Sequence, residues 1–285
     1  MKSYTLKSYA KINLFLKVGR KLKKKILHNI QSLVFLINLS DEIVIKKIAS
    51  SCDKIKFIGK FKKNIKNNDN SIKNSLLLLR KKNFIKKNNY KIIVKKNIPI
   101  FSGFGGGSSN AATIIKYFSR GKKISEQNIN YFSKYLGSDI RLFFKSKKIF
   151  QKNLSTVVQF KKSYKFYFLV VYPFLKSSTK EIYSKLNKFD KIKNKKNYVV
   201  SSKLKFVNEL KLEKNSLEKV VISKFPVIKK LLKEMKSSKN CQFSRVTGSG
   251  SACFALFLNK RDGTLALRQV KKKFPKFWCV LCKTI

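Results

Sequence analysis

The distribution of apolar and polar residues predicts strands and helices that alternate along the chain. Short runs rich in Ile, Val and Phe between polar residues are typical of strands. Longer segments with a capping residue at the start and Gly or Pro beyond the end are typical of helices. We predict strands at Tyr4–Lys17, Ile30–Leu39, Asp41–Ile48, Tyr90–Val94, Phe166–Tyr172, Ser244–Val246, Cys253–Leu258 and Phe277–Leu281. We predict helices at Asn70–Lys82, Ser109–Phe118, Lys203–Lys211, Val227–Lys236 and Thr264–Phe274.

This interleaving predicts a mixed α+β protein with two packed lobes. A chain of 285 residues is long enough for two ordinary domains. A second section begins around Lys161, ahead of an apolar run that ends at Pro173. We therefore predict one domain over residues 1–160 and another over residues 161–285.

The charge balance of the chain is extreme, with 67 Lys and Arg against 13 Asp and Glu and a formal net charge of +54. Such an excess can mark a nucleic-acid-binding protein. Here the lysines run from Lys2 to Lys283 among many Asn and Ile, as an A/T-rich coding sequence would produce. We interpret the excess as a solvated surface without specific nucleic-acid binding, whose positive field favours anionic ligands.

We expect neither a secretory signal peptide nor a membrane-spanning segment in this sequence. Lys7 and Lys11 interrupt the apolar opening segment, and no apolar run reaches about 18 residues. The five cysteines are odd in number and irregularly spaced, although Cys279 and Cys282 have the CxxC spacing. We predict reduced thiols packed near a strand and a cytoplasmic protein with no membrane partner.

Glycine usage indicates where the chemistry lies. Seven of the 11 glycines fall in three segments, at Gly103–Gly107, Gly137 and Gly248–Gly250. The first segment stands between a predicted strand and a predicted helix, where free backbone amides and the helix dipole attract phosphate. Ser108 and Ser109 add hydroxyls for phosphate or Mg²⁺. The loop fits neither a Walker A motif nor a dinucleotide fingerprint, so it predicts phosphate binding without either common family.

Two charged residues stand out from their surroundings. Asp139, between a Gly-Ser pair and an apolar segment, is either a buried functional carboxylate or an ordinary turn aspartate. Lys11 lies in an apolar strand, although a surface lysine is the default in so basic a chain. For each of the two residues, the sequence by itself leaves the functional and the ordinary interpretation open.

Four segments taken together resemble the GHMP kinase superfamily. They are Ser8–Phe15, Ile98–Ala112, Gly137–Asp139 and Thr247–Phe254. Within that superfamily they are similar to the kinases that act on 4-diphosphocytidyl-2-C-methyl-D-erythritol, in the non-mevalonate route to isoprenoid precursors. The resemblance covers essentially the whole chain. It implies an N-terminal lobe like ribosomal S5 domain 2, a ferredoxin-like C-terminal lobe, and transfer of the γ-phosphoryl group of ATP with Mg²⁺ to the 2-hydroxyl of that substrate.

The resemblance also implies roles for particular residues. Asp139 matches the family's base and Lys11 its partner. Asn13 and His28 match substrate-contacting positions, and Tyr183 matches an aromatic that lies against the cytosine. The ATP-binding positions are Lys96, Pro99, Ile100, Phe101, Ser102, Gly103, Phe104, Gly105, Gly106, Gly107, Ser108 and Ser109. The magnesium ligand is not indicated, and the chain is expected to be a monomer or a homodimer.

Two positions depart from the family pattern. Leu27 replaces a tyrosine that would stack on the base, and Arg141 replaces a proline that would hold Asp139 rigidly. The alternatives are a GHMP kinase for another small alcohol or sugar, a basic RNA-binding protein on an S5-like fold, and an inactive paralogue. His28, the only histidine, favours a cytosine-containing substrate. The intact Lys11, Asp139 and glycine loop argue against an inactive protein.

Overall fold

A computed structural model describes residues 3–21, 28–66, 69–119, 124–162, 164–192 and 202–285. The strands of this part of the chain are β1 (Tyr4–Lys21), β2 (His28–Ile48), β3 (Lys54–Ile58), β4 (Asn89–Lys95), β5 (Lys148–Gln151), β6 (Val157–Gln159), β7 (Tyr167–Tyr172), β8 (Phe243–Val246), β9 (Cys253–Phe257) and β10 (Trp278–Lys283). The helices are α1 (Ser71–Lys81), α2 (Gly106–Phe118), α3 (Glu126–Leu136), α4 (Leu142–Lys145), α5 (Thr179–Ser184), α6 (Lys203–Leu212), α7 (Glu218–Lys224), α8 (Val227–Ser237) and α9 (Lys260–Lys273). Within these ranges no helix is both long and apolar enough to cross a membrane.

The chain divides into two compact units, each assembled from several segments. Unit 1 comprises Met1–Ala10, Leu39–Ile100 and Gly105–Ser146. Unit 2 comprises Lys11–Asn38, Phe101–Phe104 and Lys147–Ile285. The strands β1 and β2 pair with each other, and each contributes residues to both units. The predicted boundary between residues 160 and 161 stays a prediction.

Unit 1 combines a small sheet with helices. The second half of β2 pairs antiparallel with β4, with Ile43 opposite Val94, and β3 adds to β4 in parallel. The helix α1 packs against α2 and α3, and its buried face includes Leu76 and Leu79. Asn70 caps α1 by accepting hydrogen bonds from the first-turn amides, as expected for an N-cap asparagine. These packed helices fix the direction in which α2 begins.

Unit 2 contains a four-stranded antiparallel sheet in the order β10-β7-β9-β8. Its central strands β7 and β9 are almost wholly buried, which explains their continuous apolar sequences. The helices α7, α8 and α9 contribute Val221, Leu231 and Val270 to the core that covers this sheet. The first half of β2 belongs to this unit as well and pairs antiparallel with β5, which pairs with β6.

The predicted mixture of strands and helices is confirmed, with three informative differences. The two strands predicted on either side of Ser40 form one strand, β2. The polar Asp41 that follows Ser40 does not end the strand, because its carboxylate accepts the backbone amide of Asn97. The helix α2 begins at Gly106, three residues before the predicted start. The helix α9 begins at Lys260 because the Asn259 side chain caps it.

The helix α3 was not predicted, and neither were β3, β5, β6, α4, α5 and α7. In α3 the apolar Ile129, Phe132 and Leu136 do follow a helical spacing, although only Ile129 and Phe132 are buried. Its start is nevertheless capped by Ser125, whose side chain accepts the Asn128 amide. This helix matters because it holds the turn that carries Asp139.

Candidate active site

The glycine loop of unit 1 leads directly into the N-terminus of α2. Gly105 has a φ of 69° and an αL backbone, which places the chain for the sharp entry into the helix. The first backbone bond runs from the Ser109 amide to the Gly105 carbonyl at 2.9 Å. The amides of residues 106–108 therefore lack an intrahelical acceptor and form a donor-rich helix terminus. Such a terminus suits a phosphate group.

The two glycines of this first turn have different surroundings. A Cβ on Gly106 would lie 3.0 Å from the Ile98 side chain and 3.6 Å from the Lys96 ammonium, so Gly106 is needed for packing beneath the helix. A Cβ on Gly107 would meet only Ser71 Oγ at 4.0 Å, and Gly107 is exposed. The open side of the helix terminus is therefore the side of Gly107.

A buried polar cluster lies under this helix terminus. The Lys96 ammonium makes a short ion pair with the Asp41 carboxylate and donates to Asn110 Oδ1 at 2.9 Å. The amide nitrogen of Asn110 donates to Asp41 Oδ2 at 3.0 Å and to Ser8 Oγ at 2.9 Å. Ser8 in turn donates to Ser109 Oγ at 2.8 Å. We call Ser8, Asp41, Lys96, Ser109 and Asn110 the loop cluster.

The two serines of the glycine loop differ in accessibility, because only Ser109 belongs to the loop cluster. Ser109 is 2% exposed and its hydroxyl accepts from Ser8 inside the protein. Ser108 is only partly buried and stands on the first turn beside Gly107. Of the two hydroxyls that the sequence suggests for phosphate or Mg²⁺, the Ser108 hydroxyl is the accessible one.

Burial lowers the pKa of Lys96, while the charge and hydrogen bond of Asp41 act in the opposite direction. The sequence gives no indication of Asp41, because an Asp-Glu pair after an apolar run is typical of a strand end at the surface. Its carboxylate is instead fully buried, and Lys96 lies 55 residues away along the chain. The structure thus gives Lys96 a packing role, and its contact with ATP stays a prediction.

Asp139 lies in a 3-10 turn, Ser138–Arg141, that follows Gly137. The turn contacts both α2 and α3, and Asp139 is partly exposed. Arg141 is almost buried, forms an ion pair with Glu126 of α3 at 3.3 Å and donates to Asn130. Where the family has a proline, this chain therefore ties the turn to α3 with a guanidinium.

In unit 2, Lys11 and Asn13 project from β1 as an ordered pair. Lys11 Nζ donates to Asn13 Oδ1 at 2.5 Å, and Asn13 Nδ2 donates to Ser32 Oγ at 2.8 Å. The Asn13 amide N–H donates to Thr247 Oγ1 at 3.1 Å. A Cβ on Gly248 would lie 3.2 Å from Lys11 Nζ, so the absence of a side chain there leaves room for the ammonium. Asn13 therefore orients Lys11.

The start of the glycine loop packs against the third glycine segment. Gly103 has a φ of +86°, and a Cβ there would lie only 2.3 Å from the Thr247 carbonyl oxygen. The Ala252 amide donates to the Ser102 carbonyl at 3.1 Å. Two of the three predicted segments thus meet within unit 2, and Gly103 is required by this close approach.

A cavity of about 380 Å³ opens beside this contact. Its lining residues are rich in hydroxyl and backbone groups and are Phe101, Gly103, Lys176, Ser177, Ser178, Thr179, Ser249 and Gly250. The Ser177 hydroxyl donates to the Ser249 carbonyl at 2.7 Å, which fixes one wall. More of the cavity surface is apolar than polar, and Lys176 is the cation among its lining residues.

His28 is held within an aromatic group in unit 2. Its ring lies 5.3 Å from Phe189 in a stacked arrangement and 5.8 Å from Tyr183 at 39°. Its Nδ1 lies 3.1 Å from the Gly19 carbonyl oxygen, which requires a proton on Nδ1 and leaves Nε2 for another partner. We call His28, Tyr183 and Phe189 the histidine group. Leu27, which departs from the family pattern, lies outside the described residues.

The structure brings some predicted residues together and leaves other predictions open. Lys11, Asn13 and Gly103 surround the third glycine segment, and His28 contacts Tyr183. Lys11 belongs to unit 2 and Asp139 to unit 1, so their partnership stays a prediction. The sequence missed Asp41 and Phe189 because both act through contacts distant in sequence.

The cysteines show no metal or redox site in the described part of the chain. All five are free thiols, and no group of three His, Cys, Asp or Glu side chains there could hold a metal ion. Burial raises the pKa of Cys279 to about 11 and of Cys282 to about 12. High thiol pKa values disfavour the reactive thiolate, so the CxxC spacing is consistent with packing in β10, and the prediction of reduced thiols stays a prediction.

Comparison with known proteins identifies the family. Residues 70–141 match the GHMP kinase N-terminal domain and residues 203–276 match the GHMP kinase C-terminal domain. The chain is 38% identical over its full length to the 4-diphosphocytidyl-2-C-methyl-D-erythritol kinase of Pelagibacter ubique, which is also covered in full. It is 32% identical to the kinase of the same name from Wolbachia pipientis, over 100% of this chain and 99% of that one.

Solved structures support the same fold. A crystal structure of 4-(cytidine 5'-diphospho)-2C-methyl-D-erythritol kinase superposes with a TM-score of 0.72 at 19% identity, over 98% of this chain and 99% of that one. Homoserine kinase from Cytophaga hutchinsonii superposes with a TM-score of 0.76 at 15% identity, over 100% of this chain and 95% of that one. The predicted GHMP kinase fold is confirmed. With its full-length sequence identity and both family domains, the chain belongs to the 4-diphosphocytidyl-2-C-methyl-D-erythritol kinase family of GHMP kinases.

Proposed function

We propose that this chain transfers the γ-phosphoryl group of ATP to the 2-hydroxyl of 4-diphosphocytidyl-2-C-methyl-D-erythritol. The full-length identity to curated kinases of that name carries the proposal. As a kinase of this family, the chain is a phosphotransferase with an alcohol acceptor and uses ATP. Its placement in the non-mevalonate route to isoprenoid precursors follows from the same relatives.

The ATP phosphates bind at the N-terminus of α2. The amides of residues 106–108 supply donors, and the open side at Gly107 leaves space for a phosphate oxygen. Since no side chain projects from these glycines, the backbone can approach the anion closely. The excess of lysine on the chain raises the local concentration of an anionic nucleotide.

A hydroxyl oxygen at this helix terminus fits Mg²⁺ that arrives with the nucleotide. Magnesium prefers oxygen ligands and commonly binds through phosphates, water and one or two protein oxygens. The accessible Ser108 hydroxyl is the protein oxygen that would hold it. When bound, the ion neutralises charge on the phosphates.

Asp139 accepts the proton of the 2-hydroxyl while the hydroxyl oxygen attacks the γ-phosphorus in line. The bond from that phosphorus to the β–γ bridging oxygen breaks, and ADP leaves. Lys11 is assigned as the partner of Asp139 by the resemblance of their motifs to the family's catalytic pair. An ammonium at the reacting oxygen stabilises the alkoxide character that develops there. The hydrogen bond from Lys11 to Asn13 supports this role by holding the ammonium in one orientation.

The histidine group recognises the cytosine of the substrate. The Nδ1 contact with Gly19 fixes the tautomer of His28 and leaves Nε2 to accept from the exocyclic amino group of the base. Tyr183 offers an aromatic face, and Asn13 is placed on the substrate side by the family pattern. Lys176, which lines the cavity, offers a positive charge to the phosphate groups that link the base to the alcohol.

A substrate panel tests the proposal. The purified chain is incubated with ATP, Mg²⁺ and one alcohol at a time: the cytidylated methylerythritol, methylerythritol phosphate without cytidine, mevalonate or homoserine. Formation of ADP is followed together with the mass of the product. We expect a gain of one phosphate on the cytidylated compound alone. Turnover of mevalonate or homoserine in its place would assign the chain to another GHMP kinase activity.

A further inference from the structure

Asp41 has no role in the reaction described above, yet it lies at the centre of the loop cluster. Its side chain is fully buried, so it cannot touch a nucleotide. Its two oxygens accept four hydrogen bonds. Oδ1 accepts the backbone amides of Asn97 and Ile98, both at 2.8 Å, and Oδ2 accepts the side chains of Lys96 and Asn110.

These four donors come from both ends of the glycine loop. Residues 96–98 immediately precede the loop, and Asn110 lies on the first turns of the helix that follows it. Asp41 therefore connects the entry and the exit of the loop through one carboxylate. Ser8 extends the connection, because it accepts from Asn110 and donates to Ser109.

A buried ion pair is an inefficient way to stabilise a fold. Removing two charges from water costs more than their attraction returns in many proteins, and apolar residues of similar volume often fill such sites equally well. The loop cluster provides geometry that apolar residues cannot provide, because its hydrogen bonds are directional. The Lys96 ammonium also lies under Gly106, with Ile98 on the same side of that residue.

We propose that Asp41, acting through Lys96 and Asn110, is a positioning residue for ATP. The ion pair and its hydrogen bonds hold the first turn of α2 in the orientation that aims its free amides at the phosphates. The inference rests on the proposed kinase function. It assigns Asp41 no direct contact with either substrate. Because the turn that Asp41 holds binds ATP, replacing Asp41 should change the affinity for ATP and leave the affinity for the alcohol unchanged.

The test separates positioning from stability. Asp41→Asn keeps Lys96 and the size of the side chain, whereas Asp41→Leu combined with Lys96→Met replaces the pair by apolar groups. Thermal unfolding, KM for ATP, KM for the alcohol and kcat are measured for each variant. Asp41→Asn is expected to unfold at a lower temperature, because it leaves a buried ammonium without its counter-charge. The double variant is expected to regain stability.

Both variants are expected to raise KM for ATP by roughly tenfold or more, since displacement of a binding group by about 1 Å weakens its interactions severely. KM for the alcohol should stay within about twofold of the parent value. A double variant with recovered stability and parental KM for ATP would show that the cluster serves the fold alone. Parental KM for ATP in Asp41→Asn, with a raised value only in the double variant, would assign the effect to direct contact by Lys96.

A neighbouring pair provides the matched control. Glu42 and Lys95 are each one residue away from the pair under test and form an exposed ion pair at 3.5 Å. Glu42→Leu with Lys95→Met should leave both KM values unchanged, because exposed pairs contribute little. If the apolar variant of the buried pair does not fold, Ser8→Ala replaces it. That variant should raise KM for ATP in the same direction, and a parental value there would overturn the proposal.

The parent enzyme distinguishes this inference from the proposed function. A parent chain that binds ATP and phosphorylates the cytidylated alcohol establishes the function on which the test depends. If the parent does so and KM for ATP is unchanged in Asp41→Asn, the inference about Asp41 is wrong and the function stands. If the parent neither binds nor hydrolyses ATP, the proposed function itself is wrong.

Discussion

The loop cluster and the histidine group are built on different principles. The loop cluster is almost completely buried, and hydrogen bonds join its members across up to 102 residues of chain. The histidine group depends on ring contacts, and Phe189 is 40% exposed. The first arrangement fixes backbone amides before any ligand arrives. The second presents faces and one ring nitrogen that a flat base can use.

This difference suggests a division of labour between the units. Recognition of phosphate requires many donors at set positions, so small displacements in unit 1 should be costly. Recognition of a base by stacking tolerates small shifts, because an aromatic face offers no unique point of contact. Variants in the loop should therefore affect ATP, and variants in the histidine group should affect the alcohol substrate.

The largest effect is expected at the two residues to which the chemical step is assigned. Asp139→Asn should lower kcat by about 10²–10⁴-fold, the usual contribution of a general base, while ATP still binds. Lys11→Ala should be comparably damaging, and the double variant should lose far less than the product of the two losses, because the pair acts as a unit. Steady-state kinetics and ATP titration of the three variants measure this.

Independent losses in that cycle would break the link between Lys11 and Asp139. Near-parental turnover in Asp139→Asn would exclude Asp139 as the base. Catalysis would then rest mainly on positioning by the glycine loop.

The next largest effect tests ATP binding alone. Gly107→Leu places a side chain in the open space at the helix terminus, where a Cβ meets only Ser71 Oγ at 4.0 Å. The fold should therefore tolerate the change, and KM for ATP should rise by roughly tenfold or more as the phosphates are displaced. Thermal unfolding and both KM values check the outcome. An unchanged KM for ATP would place the phosphates elsewhere.

A comparable variant tests binding of the alcohol substrate alone. His28→Ala removes the hydrogen-bonding ring and should raise KM for the cytidylated substrate by about tenfold, since a hydrogen bond in a largely buried site contributes about 1 kcal/mol or more. KM for ATP should stay at the parent value. Tyr183→Phe serves as the control, because it keeps the aromatic face and should change KM little. An equal rise in both KM values for His28→Ala would contradict the division between the units.

The smallest effect compares the buried carboxylate of Asp41 with the partly buried carboxylate of Glu218. Burial raises the pKa of Glu218, and a backbone amide from Val246 together with Arg245 offsets this only in part. Because the folded pKa exceeds the ordinary value of 4.5, the native state loses stability as pH rises from about that value through the raised one. Glu218→Gln keeps an acceptor for Val246 without the charge, so it should unfold at a slightly higher temperature than the parent at pH 7–8.

That advantage should shrink as pH falls towards 4.5, and thermal unfolding at several pH values measures it. The opposite sign is expected for Asp41→Asn, whose carboxylate is paired with an ammonium. Equal destabilisation by Asp41→Asn and Glu218→Gln at neutral pH would remove the distinction between a buried carboxylate paired with an ammonium and a partly buried, poorly paired one.

Local sequence patterns predicted much of the fold because they depend on neighbours along the chain. The apolar run Phe166–Tyr172 predicted β7 to within one residue, and the segment behind Asp69 predicted α1. The prediction failed at β2, where Ser40 suggested a break, and at α3, whose apolar Ile129, Phe132 and Leu136 do follow a helical spacing. At β2 the partners that decided the case are distant in sequence.

The kinase family was also readable from the sequence and is confirmed by the relatives. Assigned roles for Lys11 and Asp139, the magnesium ligand, the oligomeric state, the cytoplasmic location and the lack of specific nucleic-acid binding stay predictions. The Lys11 and Asp139 variants above address the first of these directly. Binding of RNA at increasing salt would test the last, since non-specific charge attraction weakens steeply with salt.

The sequence by itself determined many of the strands and helices and the family, and it predicted phosphate binding at the glycine loop. These depend on periodicity, glycine spacing and motifs, which are local properties of the chain. Tertiary structure decided that Asp41 pairs with Lys96, that Ser109 turns inward while Ser108 remains accessible, and that Phe189 stacks on His28. Burial and pairing depend on which distant segments the fold brings together, and no local pattern records that.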